Sequence, residues 1–243
     1  MWSELRDLRE GVDLGTPPRS GPPVTVEVDG VEVSVPEGSS VMLAAVTAGR
    51  AVPKLCATDT LEAFGSCRVC LVEIEGRRGF PASCTTPVAE GMRITTDSER
   101  LGDLRRGVME LYLSDFPEEE LRGGWSEFHE TVAALGVDSH PYTEAANHFE
   151  LPVDDSNPYF LFDRSKCIVC SRCVRACDEI QGTFALTIDG RGFASMVVAS
   201  QDEPFLQSEC VSCGACVQAC PSHALVEKSL FPEGYHRAEP TEA

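Results

Sequence analysis

Eight of the twelve cysteines in this chain fall into two copies of one pattern: Cys167-x2-Cys170-x2-Cys173-x3-Cys177, then Cys210-x2-Cys213-x2-Cys216-x3-Cys220, with Pro221 after the second. Two-residue gaps turn a short loop so that three thiolates can reach three different irons of a [4Fe-4S] cube, whose fourth iron must be held from elsewhere. A segment built this way folds around its metal and is predicted to carry electrons. Zinc is the alternative, but it takes four ligands in a tetrahedron, commonly as two separated C-x2-C pairs, and four crowded cysteines per run fit that poorly. Disulfides fit no better in a chain without a secretory signal.

In two-cluster ferredoxins the last cysteine of each run serves the other cluster. The expected sets are therefore Cys167, Cys170, Cys173 and Cys220 for one cube, and Cys210, Cys213, Cys216 and Cys177 for the other. One position departs from the pattern: Asp178 follows Cys177 where proline is usual.

The remaining cysteines form Cys56-x10-Cys67-x2-Cys70-x13-Cys84. The plant-type [2Fe-2S] pattern is C-x4-C-x2-C with a distant fourth cysteine, so the short gap is kept and the first is lengthened. The setting supports the assignment. Val24, Val26 and Val28 alternate with polar residues, Asp29-Gly30 is a two-residue hairpin turn, and Val31, Val33 and Val35 resume the alternation. A helix is predicted from about Ser39 to Ala48 and a strand from Arg68 to Glu75. Hairpin, helix, ligand loop and strand suit a β-grasp ferredoxin domain, with zinc as the alternative occupant of these four thiols.

A length of 243 residues accommodates two or more small domains, and the net charge of -19 argues against nucleic-acid and anionic membrane partners. Residues 115 to 155 hold 11 Asp and Glu against Arg122 as the only Lys or Arg. That run reads as a solvated surface or as a docking face for a basic partner. No stretch has the roughly 18 consecutive apolar residues of a membrane span, and the N-terminus has no hydrophobic signal core, so a cytoplasmic location is expected.

The predicted fold class is α+β, in five parts. Residues 1–23 form a polar, proline-containing extension expected to order only against a partner. Residues 24–97 form the [2Fe-2S] domain, and 98–156 a helical linker. In that linker Leu101, Leu104, Val108, Leu111 and Tyr112 recur at helical intervals after a Ser98 cap, and a second helical region over 117–137 is interrupted at Gly123-Gly124. Residues 157–228 form the two-cube domain, with a hairpin from Phe184 to Val198 turning at Asp189-Gly190, and 229–243 form a polar tail.

The stretch LCATDTLEAFGSCRVCLVEIEGRRGFPASCTTPV resembles the N-terminal [2Fe-2S] segment shared by the large iron-sulfur subunit of respiratory complex I, the small diaphorase subunit of NAD-reducing hydrogenases, and NAD-dependent formate dehydrogenases. Further on, NPYFLFDRSKCIVCSRCVRACDEIQGTFALTIDGRGF and SECVSCGACVQACP are most similar to the N-terminal part of the molybdenum- or tungsten-dependent formate dehydrogenase α subunit. The resemblance implies the same twelve cysteine ligands. It also implies a third cube between the domains, held by one His and three Cys in a segment beginning Ser-Asp-His-Pro. Here that segment is Ser114, Asp115, Phe116 and Pro117, and no cysteine occurs between Cys84 and Cys167, so this third cluster is expected to be lost.

The expected complement is thus one [2Fe-2S] and two [4Fe-4S] clusters, with no catalytic residue. The resemblance implies a non-catalytic electron-transfer subunit of a cytoplasmic NAD-dependent formate dehydrogenase, working between a molybdenum or tungsten pterin catalytic subunit on another chain and a flavin subunit that reduces NAD. The alternative is the diaphorase iron-sulfur subunit of an NAD-reducing hydrogenase. A free-standing ferredoxin would need no partner-binding extensions, and a redox-responsive regulator would need a DNA-reading element that the charge balance does not offer.

Overall fold

The computed structural model describes residues 13–121, 124–142, 148 and 150–237. The chain forms two compact units: Met1–Val52, Ala57–Gly65 and Cys70–Ser98 make the first, and Pro53–Cys56, Ser66–Val69 and Glu99–Ala243 the second.

In the first unit β1 (Pro23–Val28) and β2 (Val31–Pro36) pair antiparallel with Val28 opposite Val31. The turn residues Asp29 and Gly30 have φ of 46° and 80°, the left-handed pair that a two-residue hairpin needs. The Asp29 carboxylate also accepts hydrogen bonds from Thr96 N (2.8 Å) and Thr96 Oγ1 (2.5 Å), which ties the turn to the end of the sheet. Helix α1 (Val41–Thr47) starts where Ser40 Oγ accepts from Leu43 N at 3.0 Å. Strands β3 (Glu73–Ile74) and β4 (Arg93–Thr95) complete a sheet of order β2-β1-β4-β3, with β4 parallel to β1. Val26, Val28, Met42, Ala45, Val72 and Ile94 form its core.

The strand predicted from Arg68 to Glu75 is much shorter than expected. Arg68 has a φ of 58° and cannot begin an extended run; Leu71 makes only an isolated bridge to Ala82. The expectation that the whole N-terminal extension waits for a partner is also narrowed. Residues 13–19 lie against their own unit, through Thr16 Oγ1 to Ser40 Oγ (2.7 Å) and Arg19 to Glu62 (2.6 Å).

The second unit opens with α2 (Glu99–Leu113), whose buried residues are Leu101, Arg105, Met109 and Leu113. Leu104 and Leu111, predicted to face inward, are exposed. The four-residue spacing places the buried stripe one position away from the face the apolar residues suggested. Helix α3 (Glu118–Leu121) is followed by α4 (Glu127–Leu135), capped by Ser126 at its start and by left-handed Gly136 at its end.

Strand β5 (Phe160–Phe162) pairs antiparallel with β8 (Leu225–Glu227), and β6 (Leu186–Asp189) with β7 (Met196–Ala199). Between these pairs come α5 (Arg172–Arg175) and α6 (Ala215–Ala219). The β6–β7 hairpin does not turn at Asp189-Gly190. Asp189 pairs with Met196, so the connection is the six residues 190–195, including a 3-10 turn at Gly192–Ala194.

Candidate iron-sulfur sites

The two cysteine runs fold as copies of one device. Cys167-Ile168-Val169-Cys170-Ser171-Arg172-Cys173 and Cys210-Val211-Ser212-Cys213-Gly214-Ala215-Cys216 carry left-handed residues at matching places. These are Val169 and Ser212 (φ 50° and 55°), then Ser171 and Gly214 (φ 66° and 78°). After each second left-handed residue a short helix begins, α5 in one copy and α6 in the other. The left-handed bends turn backbone N–H groups onto sulfur: Ser212 N donates to Cys210 Sγ at 3.4 Å, and the Val169 backbone does the same for Cys167. A β-branched valine with positive φ is costly, of order 1 kcal/mol or more, and persists only where the surroundings dictate it.

Burial and neighbouring thiols together set the ionisation of these cysteines. Burial pushes Cys167 and Cys170 up to about 12, and Cys220 adds to the shift in both. Cys173 is raised well above its ordinary value by burial, then by Cys167, Cys170 and Cys220. In the second copy burial pushes Cys216 up to about 12, and the charges of Cys210, Cys213, Cys177 and Cys220 raise it further, in that order of size. Cys177, Cys210, Cys213 and Cys216 also line one cavity, walled by Phe160 and Phe205. Buried thiols that repel one another's ionised forms are unfavourable as bare thiolates, and bound cations reverse that balance. Among the described residues no three His, Cys, Asp or Glu side chains are grouped to hold a single metal ion. A cube instead places its four ligands on four irons.

Further donors point at the last cysteine of each run. Cys177 Sγ lies 3.3 Å from Ala185 N and 3.2 Å from Thr183 Oγ1; Cys220 Sγ accepts from Leu225 N at 3.5 Å. After Cys177 the chain continues as a π-helical turn, Ala176–Gln181, ending at Gly182 with φ 72°. Asp178 has the backbone N–H that a proline would lack, so the turn can continue there, whereas α6 stops at Cys220-Pro221.

The other four cysteines are placed two by two. In the first unit Cys70 and Cys84 are buried with their sulfurs 3.5 Å apart. In the second, Cys67 N donates to Cys56 Sγ at 3.4 Å, and both residues belong to a core with Met109, Leu113, Phe128 and Cys170. Several side chains outside the cysteine pattern hold this loop. Arg175 Nη2 donates to Cys56 O (2.5 Å), Arg172 Nη1 to Leu55 O (3.3 Å) and Tyr112 OH to Cys67 O (3.3 Å). Burial works against the Arg172 charge, but Glu127 at 2.8 Å, then Cys170 and Cys220, hold the guanidinium above its ordinary value. Arg172 lies between two ligand positions, which is the one hint the sequence offered.

Phe116, at the position of the missing histidine, is buried with its ring 4.7 Å from that of Phe128. His129 is held by Ser126 Oγ at Nδ1 (2.6 Å) and Glu120 O at Nε2 (2.9 Å). A Cβ on Gly124 would lie 1.9 Å from that Nε2, so the ring fills the space beside the glycine. His148 is buried 3.8 Å from Asp115.

A last feature lies beside Cys167. Asp163 is fully buried, and its carboxylate accepts from Ser165 N (3.0 Å), Ser165 Oγ (2.6 Å), Tyr235 OH (2.6 Å), Arg237 Nε (2.9 Å) and Arg237 Nη2 (2.6 Å). Arg237 Nη2 also donates to Leu151 O at 2.7 Å. The described part of the polar tail is therefore bound to the base of the first cysteine loop.

Two family models match the chain: a 2Fe-2S iron-sulfur cluster binding domain over residues 21–99 and a 4Fe-4S dicluster domain over residues 166–224. The chain thus carries a 2Fe-2S domain followed by a 4Fe-4S dicluster domain. It is 39% identical over 187 residues to an NADH-quinone oxidoreductase subunit of Mycobacterium tuberculosis, a match covering 75% of this chain and 23% of that protein. It is 37% identical over 214 residues to NADP-reducing hydrogenase subunit HndD of Solidesulfovibrio fructosivorans, covering 84% of this chain and 36% of that one. These matches span about a quarter to a third of the relatives' length. A solved chain from an NAD+-reducing [NiFe]-hydrogenase in the H2-reduced state superposes with a TM-score of 0.76 at 30% identity, covering 86% of this chain and 89% of that chain.

Proposed function

Because the chain belongs to the family of iron-sulfur electron-transfer subunits of NAD(H)-linked oxidoreductases, we propose that it relays electrons between a catalytic subunit that oxidises formate at a pterin-bound molybdenum or tungsten and a flavin subunit that reduces NAD. The observation that supports the relay reading is the repeated cysteine loop, present twice, with buried thiols whose ionised forms repel one another. We assign Cys167, Cys170, Cys173 and Cys220 to one [4Fe-4S] cluster, Cys210, Cys213, Cys216 and Cys177 to the second, and Cys56, Cys67, Cys70 and Cys84 to the [2Fe-2S] cluster. When bound, these clusters supply one-electron donor and acceptor chemistry.

The chain's own residues set the conditions for that chemistry. Phe160 and Phe205 give the second thiol group an apolar wall on its buried side. The N–H groups of Ser212, Ala185 and Leu225, with the Thr183 hydroxyl, stabilise negative charge on sulfur. No residue is assigned as an acid, base or nucleophile, and a cytoplasmic location is part of the proposal; no described helix is long and apolar enough to cross a membrane.

Formate as the electron source rests on the resemblance of the segment DEIQGTFALTIDGRGF, residues 178–193. A second reading, hydrogen as the source, is favoured by one observation: the match covers 89% of the hydrogenase chain. Reconstitution decides between them. The isolated holoprotein is expected to accept electrons from dithionite but not to oxidise formate with a viologen dye. Adding its catalytic and flavin partners should give formate-dependent NAD reduction. Hydrogen-dependent reduction instead would establish the second reading, and formate turnover by this chain alone would refute the relay.

A further inference from the structure

The second cysteine loop reaches the surface. Of the twelve cysteines only Cys213 is exposed, and the cavity it lines with Cys177, Cys210 and Cys216 also has Val211 in its wall. The segments that build this cavity carry large apolar side chains with nothing over them. Val211 is 55% exposed; Phe184, between the lining residues Thr183 and Ala185, is 69% exposed; Leu206, next to the lining Phe205, is 70% exposed. Single exposed apolar residues are ordinary, but a group of them around the one exposed ligand cysteine is the signature of a binding surface.

Phe184 adds an independent observation. Its φ is 55°, a left-handed conformation that a bulky aromatic residue rarely adopts and that asparagine or glycine would take with less strain. The backbone there holds an aromatic ring out into solvent. Acidic residues outnumber basic ones in the segments that build this loop: residues 176 to 213 contain Asp178, Glu179, Asp189, Asp202, Glu203 and Glu209 against Arg191, and of these Asp202 is paired with Arg164 at 2.6 Å.

We propose that this face, centred on Val211 and Cys213 with Phe184 and Leu206 around it, docks a partner subunit that presents its own redox centre behind an apolar patch bordered by Lys and Arg. The inference rests on the relay reading and adds where the second cube meets its exchange partner. A second copy of this chain does not fit, because a two-fold contact would set the acidic border against itself.

The test uses the native complex with a photoreactive benzoylphenylalanine at Leu206, and a control probe at Glu32 on the β1–β2 hairpin. Irradiation is expected to join Leu206, and not Glu32, to a subunit that contains a flavin, a metal or an iron-sulfur centre. A crosslink to a second copy of this chain, a crosslink to a protein without a redox centre, or a yield no higher than at Glu32 would overturn the proposal. A second measurement uses the doubly substituted Leu206→Asp, Phe184→Asp chain. Its iron and sulfide content and its reduction by dithionite should match the unsubstituted chain, while its affinity for the rest of the complex should fall at least tenfold. Unchanged affinity would overturn the docking face. Failure of the relay reading looks different, because the unsubstituted chain would then not take up electrons at all.

Discussion

Replacing Arg237 with alanine tests whether the C-terminal segment holds the base of the first cysteine loop. Asp163 is fully buried, and Arg237 is the cation that neutralises it through three contacts of 2.6 to 3.0 Å. Removing one partner of a buried pair typically costs about 3–5 kcal/mol, because the other charge remains without compensation. Arg237 is 28% exposed and Ser165 and Tyr235 still donate to the carboxylate, so screening reduces the expected loss to about 2–3 kcal/mol. For a domain of this size that corresponds to a fall in Tm of about 4–12 °C.

Burial opposes ionisation of Asp163, but hydrogen bonds from Arg237, Ser165 and Tyr235 prevail and hold its carboxyl below the ordinary value. A carboxyl whose folded-state value is depressed contributes stability above its unfolded value, about 3.9, and loses that contribution as pH falls through the folded value. The wild type should therefore show no loss from this group down to about pH 5. In the variant, burial without the guanidinium raises the folded-state value, so protonation favours the folded form. The gap in Tm should narrow as pH falls from about 8 toward about 5. Anaerobic thermal unfolding of the holoprotein across that range is the measurement. A loss below about 0.5 kcal/mol, or a gap that widens on acidification, would refute the reasoning.

Iron analysis should give about 10 iron and about 10 acid-labile sulfide per chain, and a value near 14 would mean that a third cube is present after all. Replacing Cys177 with alanine should perturb the cube of Cys210, Cys213 and Cys216; electron paramagnetic resonance showing only the other cube disturbed would contradict the crossed assignment. Thr183→Val keeps the side-chain shape and removes a hydroxyl 3.2 Å from Cys177 Sγ. Loss of one hydrogen bond worth about 1 kcal/mol should lower the one-electron potential of that cube by about 40 mV in a redox titration, and an increase would refute the donor role.

The parts of this molecule that the sequence predicted well are those in which a local pattern specifies a local geometry. Alternating valines around Asp29-Gly30 give the hairpin, and the repeated x2, x2, x3 spacing corresponds to two loops with left-handed residues at matching places. The errors arise where two requirements compete. On α2 the inward stripe takes Arg105 and leaves Leu104 and Leu111 outside, because the packing register is set by Leu101, Met109 and Leu113. The predicted strand from Arg68 gives way to a left-handed bend between ligand positions, and the β6–β7 connection lengthens because its register is set by pairing at Asp189 and Met196. Arg237 lies 74 residues from Asp163, and no short-range pattern announces a contact of that separation. Arg172 and Arg175 are equally silent, since an arginine beside a cysteine reads as surface until the carbonyls it reaches are known.

The left-handed residues at Val169, Ser171 and Ser212 also bear on the life of the protein before it matures. None of the three is glycine, so without iron these bends have little to hold them, and the newly made chain is expected to open there. Chains that open are the ones a cell's proteases remove. The amount of folded protein would then follow the supply of iron and sulfide more closely than the rate of synthesis, and scarcity would clear away empty carriers before they could join a complex and block it.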